Sequence, residues 1–287
     1  MKLATFAREG VEQPGVVVGD RIVPTGDASL LALIQGGETA LNRARGRALA
    51  AADAGGFALS EVSLRAPLPR PPRNVFCVGR NYKLHIEEGA RARGVPADYP
   101  KVPEFFTKAT HAVCGPGDFV RLPAVTQKLD YEVELAFVIG RAGRDIKAED
   151  AADYILGYTV LNDVTARDLQ RGHGQWFKGK SLDTTCPIGS WIVTSDEFDI
   201  NDDHRIWLSV NGEMRQDSLT TDMVFNCATI LESLSAGLTV EPGDIITTGT
   251  PSGVGLGLDP QIWLKDGDVM QAGIDGIGTI TNTIRAV

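Results

Sequence analysis

From residue 73 onward the chain alternates short β-type runs with Gly- and Pro-bearing turns and seldom alternates strand with helix. The runs are N-V-F-C-V-G (74–79), Y-E-V-E-L-A-F-V-I-G (131–140), Y-T-V-L-N-D-V (158–164), S-W-I-V-T (190–194), R-I-W-L-S-V-N-G (205–212) and D-I-I-T-T-G-T (244–250). Their Val, Ile, Thr and aromatic content suits a pleated, half-buried surface. A doubly wound parallel sheet needs a crossover helix between successive strands. Helix-like text is confined to 82–93, 148–154, 166–170 and 223–235. The expected fold class is therefore β-rich α+β, a sandwich or roll.

Residues 66–73, A-P-L-P-R-P-P-R, place four prolines in eight positions. Neither a helix nor a central strand tolerates that density, so the segment reads as a stiff connector. It sets the expected boundary between a small N-terminal α+β domain, residues 1–66, and a larger domain, residues 67–287. In the first part, short apolar runs are broken by Pro14, Gly15, Gly19 and Pro24, and Leu- and Ala-rich text over 29–52 is split into two helical pieces at Gly36-Gly37.

Several function classes are disfavoured. The formal net charge of -9 argues against nucleic acid or an anionic membrane as the main partner and favours a small molecule. No apolar run approaches membrane-spanning length, and M-K-L-A-T-F-A-R-E-G lacks the apolar core of a signal peptide, so a cytoplasmic location is expected. Cys77, Cys114, Cys186 and Cys227 are widely spaced with no C-x-x-C pair, which suggests reduced, structural thiols.

Glu132 and Glu134 stand two apart in a strand-like run, hence on one face, opposite Tyr131, Val133 and Leu135. Neighbouring carboxylates repel unless a cation lies between them, which makes a divalent metal one reading and a solvent-facing strand surface the other. Asp163 ends another strand-like run, where it fits a third oxygen ligand or a helix N-cap. His85 and Glu88, three apart on helical text, share a face on which the carboxylate can orient the imidazole; an exposed helix carries such pairs as well. Lys180, in G-Q-W-F-K-G-K-S-L-D, can balance developing negative charge or occupy a surface turn. The glycines of T-T-G-T-P-S-G-V-G-L-G (247–257) allow close backbone approach, and its amides with the Thr250 hydroxyl can hold a carboxylate or simply turn the chain.

The series K-L-D-Y-E-V-E, L-N-D-V-T-A-R-D-L-Q, K-G-K-S-L-D-T and T-G-T-P-S-G-V-G, in that order, resembles the fumarylacetoacetate hydrolase superfamily over most of residues 73–287. The resemblance implies a mixed β-sandwich roll and a metal, Mg²⁺ with Mn²⁺ or Ca²⁺ as alternatives, on the matching Glu132, Glu134 and Asp163. It places Arg167, Gln170, Lys180 and Thr250 around that site. It likens His85 and Glu88 to the acid–base dyad of the acylpyruvate-hydrolase and oxaloacetate-decarboxylase branch. Arg80, Tyr82, Lys108 and His173 complete the candidate substrate contacts.

Two departures from the founding hydrolases point away from fumarylacetoacetate as substrate. R-N-Y-K-L-H offers no carboxylate upstream of the histidine, and Glu88 is local to it. The text of 171–187 looks like the branch acting on 2,4-diketo-3-deoxy sugar acids such as 2,4-diketo-3-deoxy-L-rhamnonate. The expected activity is thus hydrolysis of a carbon–carbon bond in a β-diketo acid, giving pyruvate and a hydroxy acid. A hydroxylated substrate tail would meet the polar run Gln170, Arg171, His173 and Gln175. The alternatives are an oxaloacetate decarboxylase or tautomerase, a 2-hydroxyhepta-2,4-diene-1,7-dioate isomerase-type enzyme, and a non-catalytic protein that binds a divalent ion and a sugar acid. The family habit implies a homodimer. The segment from His85 through Gly94, V-P-A-D-Y-P and K-V-P (85–103) reads as a lid that orders on binding, with a static surface loop as the alternative.

Overall fold

In the computed structural model, which describes residues 1–51 and 55–287, the run carrying the two glutamates forms strand Val133–Ile139, buried along its whole length. Its residues serve two cores by parity. Val133, Leu135, Phe137 and Ile139 enter one cluster, whereas Ala136 and Val138 enter the other. Period-two alternation with both faces covered explains why the run is almost continuously apolar after Glu134.

The strand lies within a 12-stranded mixed sheet. Ten of its strands follow the order Phe57–Ala58, Arg21–Pro24, Val11–Val18, Lys2–Arg8, Cys186–Thr194, Ile155–Asn162, Val133–Ile139, Ile245–Thr247, Val75–Gly79 and Glu104–Lys108. Pairing along this path is antiparallel except between Ile245–Thr247 and Val75–Gly79. A five-stranded sheet, in the order Glu213–Leu219, Arg205–Val210, Val269–Ile274, Gly278–Ala286 and Phe119–Leu122, covers one face. Its Ile206, Leu208, Met270, Ala272 and Ile280 pack in one core with Leu135, Phe137 and Val160. Ala40, Ala44 and Ala48 of helix Gly37–Ala50, with Leu33 and Ile34 of helix Leu30–Gln35, join Leu3, Val138, Leu161 and Ile188 in the core on the other face. The architecture is the expected sheet-rich α+β fold.

The segments on either side of the proline-rich connector share the large sheet, because Lys2 and Leu3 pair with Val193 and Ile192. Ala52, the end of the second expected helical piece, lies outside the described residues. Helix Lys83–Arg93 stops at Gly94, whose left-handed φ of 66° closes the C-terminus. The helix expected from 223 begins only at Cys227. Residues 224 and 225 are committed elsewhere: the Val224 N–H donates to the Asn81 carbonyl at 2.7 Å and the Phe225 N–H to Asn81 Oδ1 at 2.8 Å. All four cysteines are free and buried. Among the described residues no helix is long and apolar enough to cross a membrane.

Candidate active site

Register brings the three acidic residues together. Val133 pairs with Asn162, so Glu132 and Asp163 stand opposite each other at the ends of their strands, and the Asp163 N–H donates to the Glu132 carbonyl at 2.8 Å. Glu134, two residues on, projects from the same face. One carboxylate oxygen from each of Glu132, Glu134 and Asp163 lies within 4.8 Å of the others, and all three side chains are buried. Asp163 caps no helix, since the nearest, Arg167–Gly172, begins after Ala166.

Buried carboxylates this close require positive charge. Lys180 Nζ lies 2.6 Å from Glu132 Oε2 and 2.5 Å from Asp163 Oδ2, so the lysine is part of the cluster and not of a surface turn. Lys108 Nζ lies 2.7 Å from Asp163 Oδ1, and Arg167 reaches Glu132 Oε1 at 2.6 Å. Burial works to raise the Glu132 carboxyl, but the charges of Arg167 and Lys180 hold it well below the usual range. Burial likewise works against the Lys180 ammonium, yet Asp163 and Glu132 keep its pKa above the ordinary lysine value. Glu134 is the exception. It accepts the Gly249 N–H at 3.0 Å but makes none of these ion pairs, and burial together with the charges of Asp163 and Glu132 pushes it well above the usual carboxylate range. An uncompensated acid beside two carboxylates, offering only hard oxygen donors, fits a divalent cation of the Mg²⁺, Mn²⁺ or Ca²⁺ kind.

A cavity of about 340 Å³ opens over this cluster, and His85 lines its wall. His85 Nδ1 lies 3.2 Å from Glu88 Oε2, and Glu88 Oε1 accepts the Gly253 N–H at 2.9 Å. With Nδ1 engaged, Nε2 is the nitrogen left for chemistry in the cavity. The Gly-rich loop is shaped to hold Glu88: a Cβ at Gly257 would lie 2.0 Å from Glu88 Cδ, and one at Gly253, where φ is 102°, would lie 1.9 Å from the Arg215 carbonyl oxygen.

Arg80, Arg167, Gln170 and Thr250 also line the cavity. Arg80 is held at φ 55° and pairs with Glu104 at 2.8 Å. The Thr250 hydroxyl donates to the Val133 carbonyl at 2.9 Å and accepts from Gln216 Nε2 at 2.8 Å, so its own bonds fix the loop to the strand between the two glutamates. Three expected substrate contacts are not on the wall. Lys108 is spent behind Asp163, where it also donates to the Val164 carbonyl at 3.1 Å. Tyr82 is buried ahead of helix Lys83–Arg93, where burial raises its hydroxyl pKa well above the tyrosine range. His173 is exposed beyond the end of Arg167–Gly172.

Sequence reasoning missed Gln216, which is fully buried. It accepts the Val133 N–H at 2.9 Å through Oε1 while donating to Thr250 and to the Pro251 carbonyl. Nothing in E-M-R-Q-D-S-L marks it, because its partners come from two distant segments. Trp176 was visible only as half of a Trp-Phe pair. It lines the cavity against Phe106, with ring centroids 5.3 Å apart, and sits where a Cβ on Gly79 would be.

Similarity to known proteins agrees with this geometry. The oxaloacetate tautomerase YisK of Bacillus subtilis is 48% identical over 229 residues, covering 79% of this chain and 75% of that protein. The structure of fumarylacetoacetate hydrolase (EaFAH) from psychrophilic Exiguobacterium antarcticum superposes with a TM-score of 0.86 at 42% identity, with both chains covered in full. Maleylpyruvate hydrolase from Sphingobium sp. SYK-6, solved with manganese(II) and pyruvate, gives a TM-score of 0.80 at 32% identity, covering 100% of this chain and 99% of that one. None of these three is a sugar-acid hydrolase, so the expected placement in the diketo sugar acid branch gains no support from them. Residues 74–285 match the fumarylacetoacetate (FAA) hydrolase C-terminal family, and the chain belongs to the fumarylacetoacetate hydrolase superfamily.

Proposed function

We propose that the protein is a metal-dependent tautomerase of oxaloacetate or a closely similar 2-keto dicarboxylate. This was the alternative reading of the sequence, and the likeness to YisK favours it over carbon–carbon hydrolysis. The observation that carries it is His85: oriented by Glu88, it lines the same cavity as Glu132 and Glu134. Keto–enol exchange needs one group that moves a proton between C3 and the C2 oxygen, and Nε2 of His85 is the atom assigned to that shuttle, a reading supported by Nδ1 facing Glu88. No carbon–carbon bond breaks and no water is consumed.

Glu132, Glu134 and Asp163 would hold Mg²⁺ or Mn²⁺, which when bound supplies Lewis-acid stabilisation of enolate charge. Lys180, kept protonated by its two carboxylates, serves as fixed positive charge and not as a base. Arg93 and Arg171 line the wall and offer guanidinium groups to a distal carboxylate. That wall suits a dicarboxylate better than a hydroxylated tail, because His173 and Gln175 of the polar run do not line it. The test is the rate at which enol-oxaloacetate converts to the keto form with Mn²⁺ present, with pyruvate and carbon dioxide assayed in parallel. Acceleration without pyruvate is expected.

A second reading, hydrolysis of an acylpyruvate, is favoured by the maleylpyruvate hydrolase relative. His85 would then deprotonate a water, and pyruvate would be released. Faster pyruvate release from a diketo acid than enol conversion of oxaloacetate would replace the first reading with the second.

A further inference from the structure

Asp130 belongs to neither the triad nor the dyad, yet it is fully buried and surrounded by donors. Oδ1 accepts the Gly255 N–H at 2.7 Å and the Tyr131 N–H at 2.9 Å. Oδ2 accepts Arg167 Nε at 2.8 Å and the Leu256 N–H at 3.1 Å. The contacts with Arg167, Gly255 and Leu256 lead to the site. Arg167 goes on to Glu132 Oε1 at 2.6 Å. The loop that Asp130 holds at residues 255 and 256 is the one whose Gly253 N–H anchors Glu88 at 2.9 Å. A single carboxylate thus joins the cation behind one metal-ligand candidate to the loop behind the histidine's partner.

We infer that Asp130 is a positioning residue that keeps the His85–Glu88 dyad in register with the metal-binding carboxylates. The inference rests on the proposed function for the roles of those two groups. Its physical basis is that no neutral residue of the same shape can do the task. Donors stand on both oxygens, so either rotamer of an asparagine sets its NH₂ against two N–H groups. Arg167, deprived of Asp130, would keep Glu132 as its one carboxylate partner among the described residues, where its charge competes with a metal for that oxygen. The loop's approach is also specific. A Cβ at Gly255 would meet the Ile262 carbonyl oxygen at 2.0 Å and Asp130 Oδ1 at 2.8 Å.

The test compares Asp130→Asn with Asp244→Asn in the full chain. Asp244 is an equally buried acid whose partner, the partly exposed Arg73 at 2.9 Å, lies outside the site, so its variant reports the loss of an arginine partner by a buried acid as such. In metal-free protein, Asp130→Asn should raise amide exchange at Gly253 on the order of tenfold although the Gly253 acceptor, Glu88, is untouched. It should also weaken Mn²⁺ binding by about 10–100-fold, as is usual when a group behind a metal ligand is lost. Asp244→Asn should change neither. Wild-type exchange at Gly253 and wild-type Mn²⁺ affinity in Asp130→Asn would overturn the inference. Should that variant not fold, the wild type still decides: Mn²⁺ should slow exchange at Gly253 and Gly255 together, and unchanged exchange at Gly253 with Mn²⁺ bound would count against the link. A wild type that binds no Mn²⁺ refutes the metal reading of the proposed function, whereas Gly253 exchange in metal-free Asp130→Asn still tests the link.

Discussion

Replacing Gly257 by alanine isolates the dyad from the rest of the site. The backbone there is not left-handed, so alanine is conformationally allowed, and the whole effect must come from the added methyl. That methyl would lie 2.0 Å from Glu88 Cδ and 2.1 Å from both Cγ and Oε1. Carbon atoms pack at about 3.5–4 Å, so the carboxyl must retreat by more than about 1 Å. It would then give up the Gly253 N–H and His85 Nδ1 together. Hydrogen bonds to a charged group are worth about 1.5–3 kcal/mol each, and partial rehydration returns some of that, so a stability loss of about 2–4 kcal/mol is expected.

The effect on catalysis should be of similar size in free energy. An imidazole without its orienting carboxylate loses much of the acid–base contribution, so turnover should fall about 10²-fold, toward the lower end of the 10²–10⁴ usual for a positioned proton-transfer group. Mn²⁺ affinity should hold, because none of the triad's contacts involves Gly257. The assay is kcat for enol-oxaloacetate conversion beside a Mn²⁺ titration and a thermal melt. A cycle with Glu88→Gln sharpens it: if both changes act through the same carboxylate, the double variant should be no slower than the slower single one. Wild-type turnover in Gly257→Ala, or full additivity in the cycle, would refute the reasoning.

Glu134→Gln should abolish Mn²⁺ binding yet stabilise the metal-free protein at neutral pH by about 1–3 kcal/mol, since it removes a buried acid whose ionisation the fold disfavours and which has no ion-pair partner among the described residues. The sign with pH follows. Glu134 is raised by the fold, so above about pH 4.3 the unfolded chain ionises first and wild-type stability falls as pH rises; the gap between variant and wild type should widen, as denaturant melts at several pH values would reveal. His85→Gln should lower turnover about 10²–10⁴-fold with Mn²⁺ affinity unchanged, whereas a normal rate would move proton transfer to another group. Gly46→Ala, inside helix Gly37–Ala50 with open space around its Cβ, should raise Tm by about 1–3 °C with no change in rate.

What could be read from the chain followed from how far apart in sequence the interacting groups lie. Parity alone placed Glu132 and Glu134 on one face of a strand, and helical spacing alone placed His85 beside Glu88, because both relations are local. Strand-like text over 74–79 and 131–140 gave Val75–Gly79 and Val133–Ile139, with ends shifted only slightly. The strands Val269–Ile274 and Gly278–Ala286 were overlooked, although V-M-Q-A-G-I and G-T-I-T-N-T-I-R-A alternate with the period of a sheet that covers one face only.

The misplacements share a cause. Lys108 and Tyr82 were expected among the substrate contacts, but a residue's depth is set by what packs around it. Lys108 ends a strand at the edge of the large sheet, and its ammonium is directed at Asp163, 55 residues away in sequence. Gln216 and Asp130 went unnoticed for the complementary reason. Each looks like an ordinary polar residue in its own segment, and each gains its meaning from backbone N–H groups supplied by the loop over 249–257 or the strand beside it. A buried acceptor whose partners are main-chain amides leaves no residue-type signature at the other end, so no reading of side chains along the chain can pair them. That is why the acidic cluster and the His85–Glu88 pair were legible, and the buried acceptors beside them were not.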